Sequence, residues 1–425
     1  MAGDANGVGA MWRHKRVLGA SLIGTAVEFY DFYIYATAAS LVFGSLFFPS
    51  TSPSAQQLAA FGTLALAFFA RPLGAAIFGH YGDRIGRKAT LVTSLLLMGG
   101  STLLIGFLPT YQAIGWWAPF ILCVLRFGQG LGLGGEWGGA ALLAVENAPP
   151  GWKARFGMFP QLGAPVGFLA ANGLFLILGT LLTEEQFLVW GWRLPFLASA
   201  ILVIVGLWVR LKLTETPEFA AARAEAPPPA VPLATLLSSH LGAAVAGTFA
   251  CTVCFAVYYI ATAFSLSYGT KDLGIDRETF LGIQLGAILF MAGSILLAGW
   301  WADKSSPTRV LAWGCAGTVL MGLAFGPLMG TAAILHIFIA LSLALFMMGF
   351  VYGPLGAYLP ALFPVQLRYT GASFAFNLGG IMGGALAPIV ATWLIAVQGI
   401  ELVGLYMAAA AAVSLAGLWW TSRHP

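Results

Sequence analysis

The sequence predicts an all-α polytopic membrane protein with twelve transmembrane helices in two pseudo-symmetric six-helix bundles. Composition is the first reason. Of 425 residues, 59% are hydrophobic and 8% are charged, whereas a soluble domain carries roughly 25% charged residues. The second is a series of about twelve apolar segments, each near the roughly twenty residues that a bilayer crossing needs. The third is a repeat. The stretch 79–88 reads GHYGDRIGRK, and about 220 positions later Gly299, Asp303 and Lys304 stand where Gly79, Asp83 and Arg84 stood, with Arg309 following.

Taken in order, the first span covers 16–46, behind the basic cluster Arg13, Lys15 and Arg16. The second, 57–79, runs into GHYGDRIGRK, read as a charged loop of about ten residues before the third span at 90–108. The fourth, 117–143, carries seven glycines between Gly128 and Gly139. They lack the strand–turn–helix setting of a phosphate loop and read as close helix packing. The fifth, 157–181, opens at Arg155-Phe156-Gly157, and the sixth spans 191–212. A polar stretch with ETPEF and APPPAVP then breaks the pattern, as linkers do. The expected division is therefore an N-terminal bundle at 1–212, a cytoplasmic linker at 213–237 and a C-terminal bundle at 238–425. The second half supplies 238–268, 279–301, 309–329, 332–358, 367–396 and 401–421. Its fifth member begins at Arg368-Tyr369-Thr370-Gly371, about 213 positions after the matching sequence in the first half. Glycine and proline within these spans do not argue against helices in a membrane.

Fifteen of the 20 Lys and Arg residues fall on one side of this layout. Arg193, Lys271 and Arg277 fall on the other, and Arg71 and Arg126 lie within spans. The positive-inside rule then expects both termini in the cytoplasm. The first span acts as the insertion signal, because no short apolar core with a cleavage site precedes it. The basic excess is topological, and neither a nucleic acid nor an obligate protein partner is expected. Cys123, Cys251, Cys254 and Cys315 all fall in spans and read as packing. No metal cluster, cofactor motif, Walker loop or nucleophile–base array is present, so no enzyme is expected.

Five segments resemble the metabolite:proton symporter family of the major facilitator superfamily. They are EFYDFYIYA in the first span, ARPLGAAIFGHYGDRIGRK after it, RFGQGLGLGGEWGGA in the fourth, TETPEF after the sixth and LFPVQLRYTGASFAFNLGG before the eleventh. The resemblance covers the whole length and is stronger in the N-terminal half. It implies alternating access and uptake of a small carboxylate-bearing solute with protons across a bacterial inner membrane. Relatives move shikimate, 2-oxoglutarate, citrate, proline or betaine. The long C-terminal coiled coil of osmosensing betaine transporters is absent, and the second copy of the loop motif is degraded to WADKSSPTR.

Charges inside a bilayer are costly and mark function by default. Glu28, Asp31, Arg71, Arg126 and Glu136 stand out, all in the first half; the second offers only His336. At ~1.5 Å per residue, Asp31 and Arg126 fall at comparable height in the outer half, and Arg71 and Glu136 in the inner half. Two pairs are expected, Asp31 with Arg126 and Glu136 with Arg71, with Glu28 one turn from Asp31 on the same face. Asp31 resembles the acidic position, and Arg126 the basic one, of proton-coupled sugar porters in the same superfamily. Protonation of Asp31 would free Arg126 for a substrate carboxylate, with Glu28 assisting. The alternative reading is a static buried ion pair. Gln161 resembles a position where sugar porters hold a substrate hydroxyl; Tyr30, Tyr258, Tyr352, Gln284 and Asn377 are the other pocket candidates. Asp83, Arg84, Arg87, Lys88 and Asp303 read as a cytoplasmic latch, with Arg71 and Glu136 as a gate.

The expected partners are thus an organic acid or zwitterion, protons and the lipid bilayer. A sugar or polyol symporter, a drug-exporting antiporter and a non-transporting receptor on the same fold remain as alternatives.

Overall fold

The computed structural model describes residues 9, 11–49, 52–85, 87–211 and 232–423, without the side chains of 79–91, 209, 210, 232, 366 and 423. The described chain is helical throughout its long segments because a bilayer offers no partner for an unsatisfied backbone group. The helices are α1 (Lys15–Phe47), α2 (Pro53–Ile85), α3 (Arg87–Phe107), α4 (Trp117–Glu146), α5 (Lys153–Leu181) and α6 (Leu194–Leu211). The second half contributes α7 (Leu241–Lys271), α8 (Arg277–Lys304), α9 (Pro307–Gly330), α10 (Ile334–Ala361), α11 (Arg368–Gln398) and α12 (Glu401–Arg423). Among the described residues, eleven helices are long and apolar enough to cross a membrane; Val92–Phe107 is a shorter apolar helix.

The helices form two six-helix bundles. In the first, α1 packs on α5, α2 and α3 on α4, and α3 on α6; in the second, α8 packs on α10, α9 on α12, and α7 on α11 and α12. The bundles meet along α5 against α8 and α10, and along α2 against α11. The α5–α8 and α2–α11 seams are related by the same offset as the sequence repeat. We call the end where α1 begins and α12 ends basal, and the opposite end distal.

Three local features differ from expectation. The stretch 79–88 is not a ten-residue loop: α2 continues to Ile85 and α3 restarts at Arg87. Intrahelical hydrogen bonds satisfy that backbone, so a helix can outrun the bilayer before it must turn. In α4 the glycine run also breaks the helix. The α-helix stops at Leu133 and resumes at Glu136, leaving Gly134 and Gly135 in a turn. Glycine permits close contact here, since a Cβ on Gly130 or Gly134 would fall on the backbone oxygens of Ala67 or Arg71 in α2. Finally, α1, α7 and α11 each contain a π-turn, at Ala39–Phe43, Ile260–Phe264 and Ile381–Ala385. The linker expected at 213–237 lies outside the described residues as far as residue 231.

Candidate functional site

Between the bundles, two guanidinium groups flank the ring of Phe32. The Arg71 Cζ is 4.4 Å from its centroid and the Arg126 Cζ 4.2 Å, which puts the two charges within about 9 Å of each other. Arg71 also lies 4.4 Å from Phe68, and Arg126 3.9 Å from Tyr35. Both are deeply buried, Arg126 at 0% exposure. Neither has a carboxylate within ion-pair distance among the described residues.

The two expected ion pairs therefore do not form. Arg126 Nη1 donates to Gln129 Oε1 at 2.8 Å, Gln129 Nε2 to Thr102 Oγ1 at 2.7 Å, and Thr102 Oγ1 to Asp31 Oδ2 at 3.1 Å. Asp31 and Arg126 are linked, but through two intermediaries. Glu136 accepts from Ser94 Oγ at 2.8 Å instead of meeting Arg71. Counting residues along helices fixes height and leaves rotation about the axis open. Nε and Nη2 of Arg126 and Oδ1 of Asp31 are buried without hydrogen-bond partners. Glu28 is buried one turn from Asp31, as its spacing implied.

Aromatic rings from both bundles surround the arginines. Tyr33 stacks on Tyr258 at 5.0 Å, Phe32 meets Tyr259 at 5.9 Å, and Trp137 lies flat against Phe376 at 3.8 Å. The hydroxyls of Tyr258 and Tyr352 are buried and make no hydrogen bond of full geometry, their polar neighbours being Tyr33 and Trp137 respectively. The other pocket candidates are engaged. Gln161 donates to Tyr352 O at 2.7 Å and accepts from Trp137 Nε1 at 2.9 Å. Asn377 donates to Gly134 O at 2.8 Å, and Tyr30 to Pro195 O at 2.8 Å on α6. Gln284 donates to Ala261 O at 3.1 Å and Thr262 O at 2.8 Å, within the α7 π-turn. A cavity of about 10 Å³, room for roughly one water, lies beside Asn172, Thr37 and Gln284. His336 is exposed and bonds Thr331 at 3.0 Å, outside this centre.

Contacts between the bundles close both ends. At the basal end Asp303, from the end of α8, caps α5. It accepts from Ala154 N at 2.8 Å and Arg155 N at 3.0 Å, and Arg155 Nε lies 3.5 Å away. A carboxylate suits that position because the first N–H groups of a helix have no internal partner and carry its positive dipole end. Nearby, the Tyr369 hydroxyl donates to Gly135 O, so the α4 break offers carbonyls to two donors from α11. At the distal end Ser40 Oγ donates to Ala263 O at 2.9 Å, joining the π-turns of α1 and α7, and Lys271 Nζ donates to Gln57 Oε1. Arg277 pairs with Glu184 at 3.0 Å and stacks 3.9 Å from Phe187. Asp276 precedes it as the cap of α8, and the Thr279 backbone N–H holds its carboxyl below the usual range. The side chains of Asp83, Arg84, Arg87 and Lys88 lie outside the described residues.

The sequence profile described as Major Facilitator Superfamily matches residues 21–384. The inner membrane metabolite transport protein YhjE of Escherichia coli is 50% identical over 96% of this chain and 95% of its own length. The shikimate transporter of the same organism is 39% identical over 90% of this chain and 88% of its own. Among solved structures, the proton:xylose symporter XylE bound to 6-bromo-6-deoxy-D-glucose superposes with a TM-score of 0.76, covering 95% of this chain and 94% of that one. At 17% identity that likeness speaks for the fold alone.

The basal cap yields a measurable expectation. Asp303→Ala removes two charge-assisted hydrogen bonds, each worth about 1.5–3 kcal/mol, so the basal seam should open more often. With the native cysteines replaced, a cysteine at Ser373, buried opposite Gly138, should be alkylated several-fold faster in the Asp303→Ala background. An unchanged rate would mean that the cap does not hold the seam.

Proposed function

The chain belongs to the major facilitator superfamily, and from that premise we propose that it imports a small carboxylate-bearing metabolite together with protons, by alternating access. That it is a multi-pass membrane transporter and not an enzyme follows from its relatives. The observation that carries the finer reading is the state of Arg126. Nε and Nη2 form one edge of its guanidinium fork, and both are buried without partners. A carboxylate presents two oxygens at the spacing of that edge. Burial makes the match valuable, because an uncompensated interior charge costs several kcal/mol. The aromatic rings offset part of that cost, at about 0.5–2 kcal/mol each. A neutral sugar would leave the charge unanswered. The name of the shikimate transporter supports the same chemistry, since shikimate is a carboxylate.

In this reading Asp31, with Glu28 one turn away, takes the proton. Tyr258 and Tyr352 turn their weakly engaged hydroxyls to the substrate. Gln161 and Asn377 tie the bundles together in this closed form, and join the pocket when the basal seam parts. Gln284 supports the distal side. Arg71 and Glu136 serve the gate, and the 79–88 segment forms with Asp303 the basal latch. The basal end faces the cytoplasm, where it places the fifteen basic residues and both termini. The membrane is the inner one, as for YhjE. The division into bundles at 1–212 and 238–425, around a linker at 213–237, belongs to the same proposal.

The test uses purified protein in liposomes holding a pH-sensitive dye, challenged in turn with shikimate, 2-oxoglutarate, citrate, betaine, proline and several sugars. Proton uptake with a carboxylate and none with a sugar is the expected outcome; uptake with a sugar alone defeats the proposal. Asp31→Asn should abolish proton-driven accumulation while leaving substrate exchange intact, and surviving accumulation removes Asp31 from coupling. Arg126→Lys should weaken substrate affinity at least about tenfold, or 1.4 kcal/mol, since a point charge replaces a fork. Unchanged affinity takes Arg126 out of the pocket. For the orientation, a cysteine at Ser305, exposed just past α8, should react with an impermeant reagent from the cytoplasmic side only. Labelling from outside inverts the topology.

A further inference from the structure

We propose that Thr102 on α3, acting through Gln129 on α4, transmits the protonation state of Asp31 to Arg126. The inference rests on the symport reading above and adds two positioning residues that charge and spacing did not single out. Among the described residues, Thr102 is the one hydrogen-bond partner of the Asp31 carboxylate. All four members of the chain are buried, with exposures of 1% for Asp31, 0% for Thr102, 3% for Gln129 and 0% for Arg126. Water therefore does not compete for these bonds, and the low dielectric strengthens them.

The geometry around Thr102 makes it a two-position switch. Its oxygen lies 3.1 Å from Asp31 Oδ2 and 3.0 Å from Met98 O, with Gln129 Nε2 donating to it at 2.7 Å. A hydroxyl has a single proton to give. While Asp31 is ionised it can only accept, so the Thr102 hydrogen points to it and the oxygen lone pairs are left for Gln129. Once Asp31 is protonated, its carboxyl becomes the donor. The Thr102 hydrogen turns to Met98 O, and its oxygen must accept from Asp31 and Gln129 together. Both lone pairs of that oxygen are then used, and with the anion gone the bonds along the chain are less polarised, which weakens the hold of Gln129 Oε1 on Arg126 Nη1 at 2.8 Å. One rotation about a C–O bond thus lets a proton at Asp31 relax the tether on Nη1, so that the already unpartnered Nε–Nη2 edge of Arg126 can turn to meet a carboxylate.

The other buried charged side chains on α1, α2 and α4 are Glu28, Arg71, Arg126 and Glu136, with the Tyr30 phenol next to Asp31 on α1 and Lys15, Arg16, Glu146 and Lys153 at helix ends. At the ends of neighbouring helices, Arg155 opens α5 beside Asp303, and Arg193 near the start of α6 bonds Gly106 O and Leu108 O. None of them bonds to Thr102 or Gln129 except Arg126. The relay is thus a local route between two charged groups that do not touch.

The experiment compares Thr102→Val, which keeps the shape and loses the hydroxyl, with Thr102→Ser, which restores it. The probe is the panel carboxylate that moves protons with the unmodified protein, and its half-saturation for exchange is measured over about two pH units around neutrality. The unmodified protein should show a change of about tenfold across that range. Thr102→Val should keep exchange but flatten the change to under about twofold and lose proton-driven accumulation, and Thr102→Ser should recover both. A Thr102→Val protein that exchanges with the original pH profile overturns the relay, as does a Thr102→Ser protein as flat as the valine variant. Should the valine variant not assemble, Gln129→Met, which cuts the next link, is read by the same criteria. Absence of proton uptake with every carboxylate in the unmodified protein overturns the symport reading, and the relay with it.

Discussion

A fully buried guanidinium with no carboxylate at ion-pair distance among the described residues is the constraint around which this molecule is arranged. Arg126 is fully buried, and an interior charge of that kind costs several kcal/mol unless something answers it. In the closed form the answers are partial: two aromatic faces and one carboxamide oxygen. Phe32 brings Arg71 against the same ring, so like charges add to the demand for an anion. A protein built for stability alone would place an acid at ion-pair distance. Here the nearest connected acid, Asp31, is held two side chains away.

The fold supplies two seams for that centre, and they follow the internal repeat. The π-turns of α1 and α7 lie about 220 positions apart, and each has its carbonyls capped by a glutamine from its neighbouring helix, Gln57 from α2 and Gln284 from α8. π-turns often mark functional positions because the widened turn leaves carbonyls free of the regular ladder. Ser40 then joins the two turns. At the other end Asp303 engages the exposed N–H groups of α5. Both sets of contacts are made at once, and the small cavity by Asn172 lies beside the α7 π-turn.

Composition and hydropathy made most of the architecture legible, since a bilayer leaves so few ways to satisfy a backbone. The twelve segments, the repeat and the buried charged residues of the first half were all readable. The contacts among those charges were not. Residue counts place Asp31 and Arg126 at one depth, but Thr102 and Gln129 are uncharged, lie on different helices and carry no periodic signal. The break at Gly134 and Gly135 was hidden for a related reason: glycine serves close packing and helix interruption alike, and only the partners Tyr369 and Asn377 separate the two. The 79–88 stretch looked like a loop because it is charged, although a helix projecting past the bilayer has the same composition.

Five of the ties across the seams share a chemical asymmetry, unlike Lys271–Gln57 and Arg277–Glu184, which pair side chain with side chain. Tyr369, Asn377, Gln161 and Ser40 each reach from one bundle to a main-chain carbonyl of the other, and Asp303 reaches to main-chain N–H groups. One partner in every such tie is therefore immune to substitution, because no codon change removes a peptide group. Divergence can retune each closure from a single side, one residue at a time, without the paired changes that a seam of matched side chains would demand. The strength of these ties can then change separately from the side chains that surround the arginines.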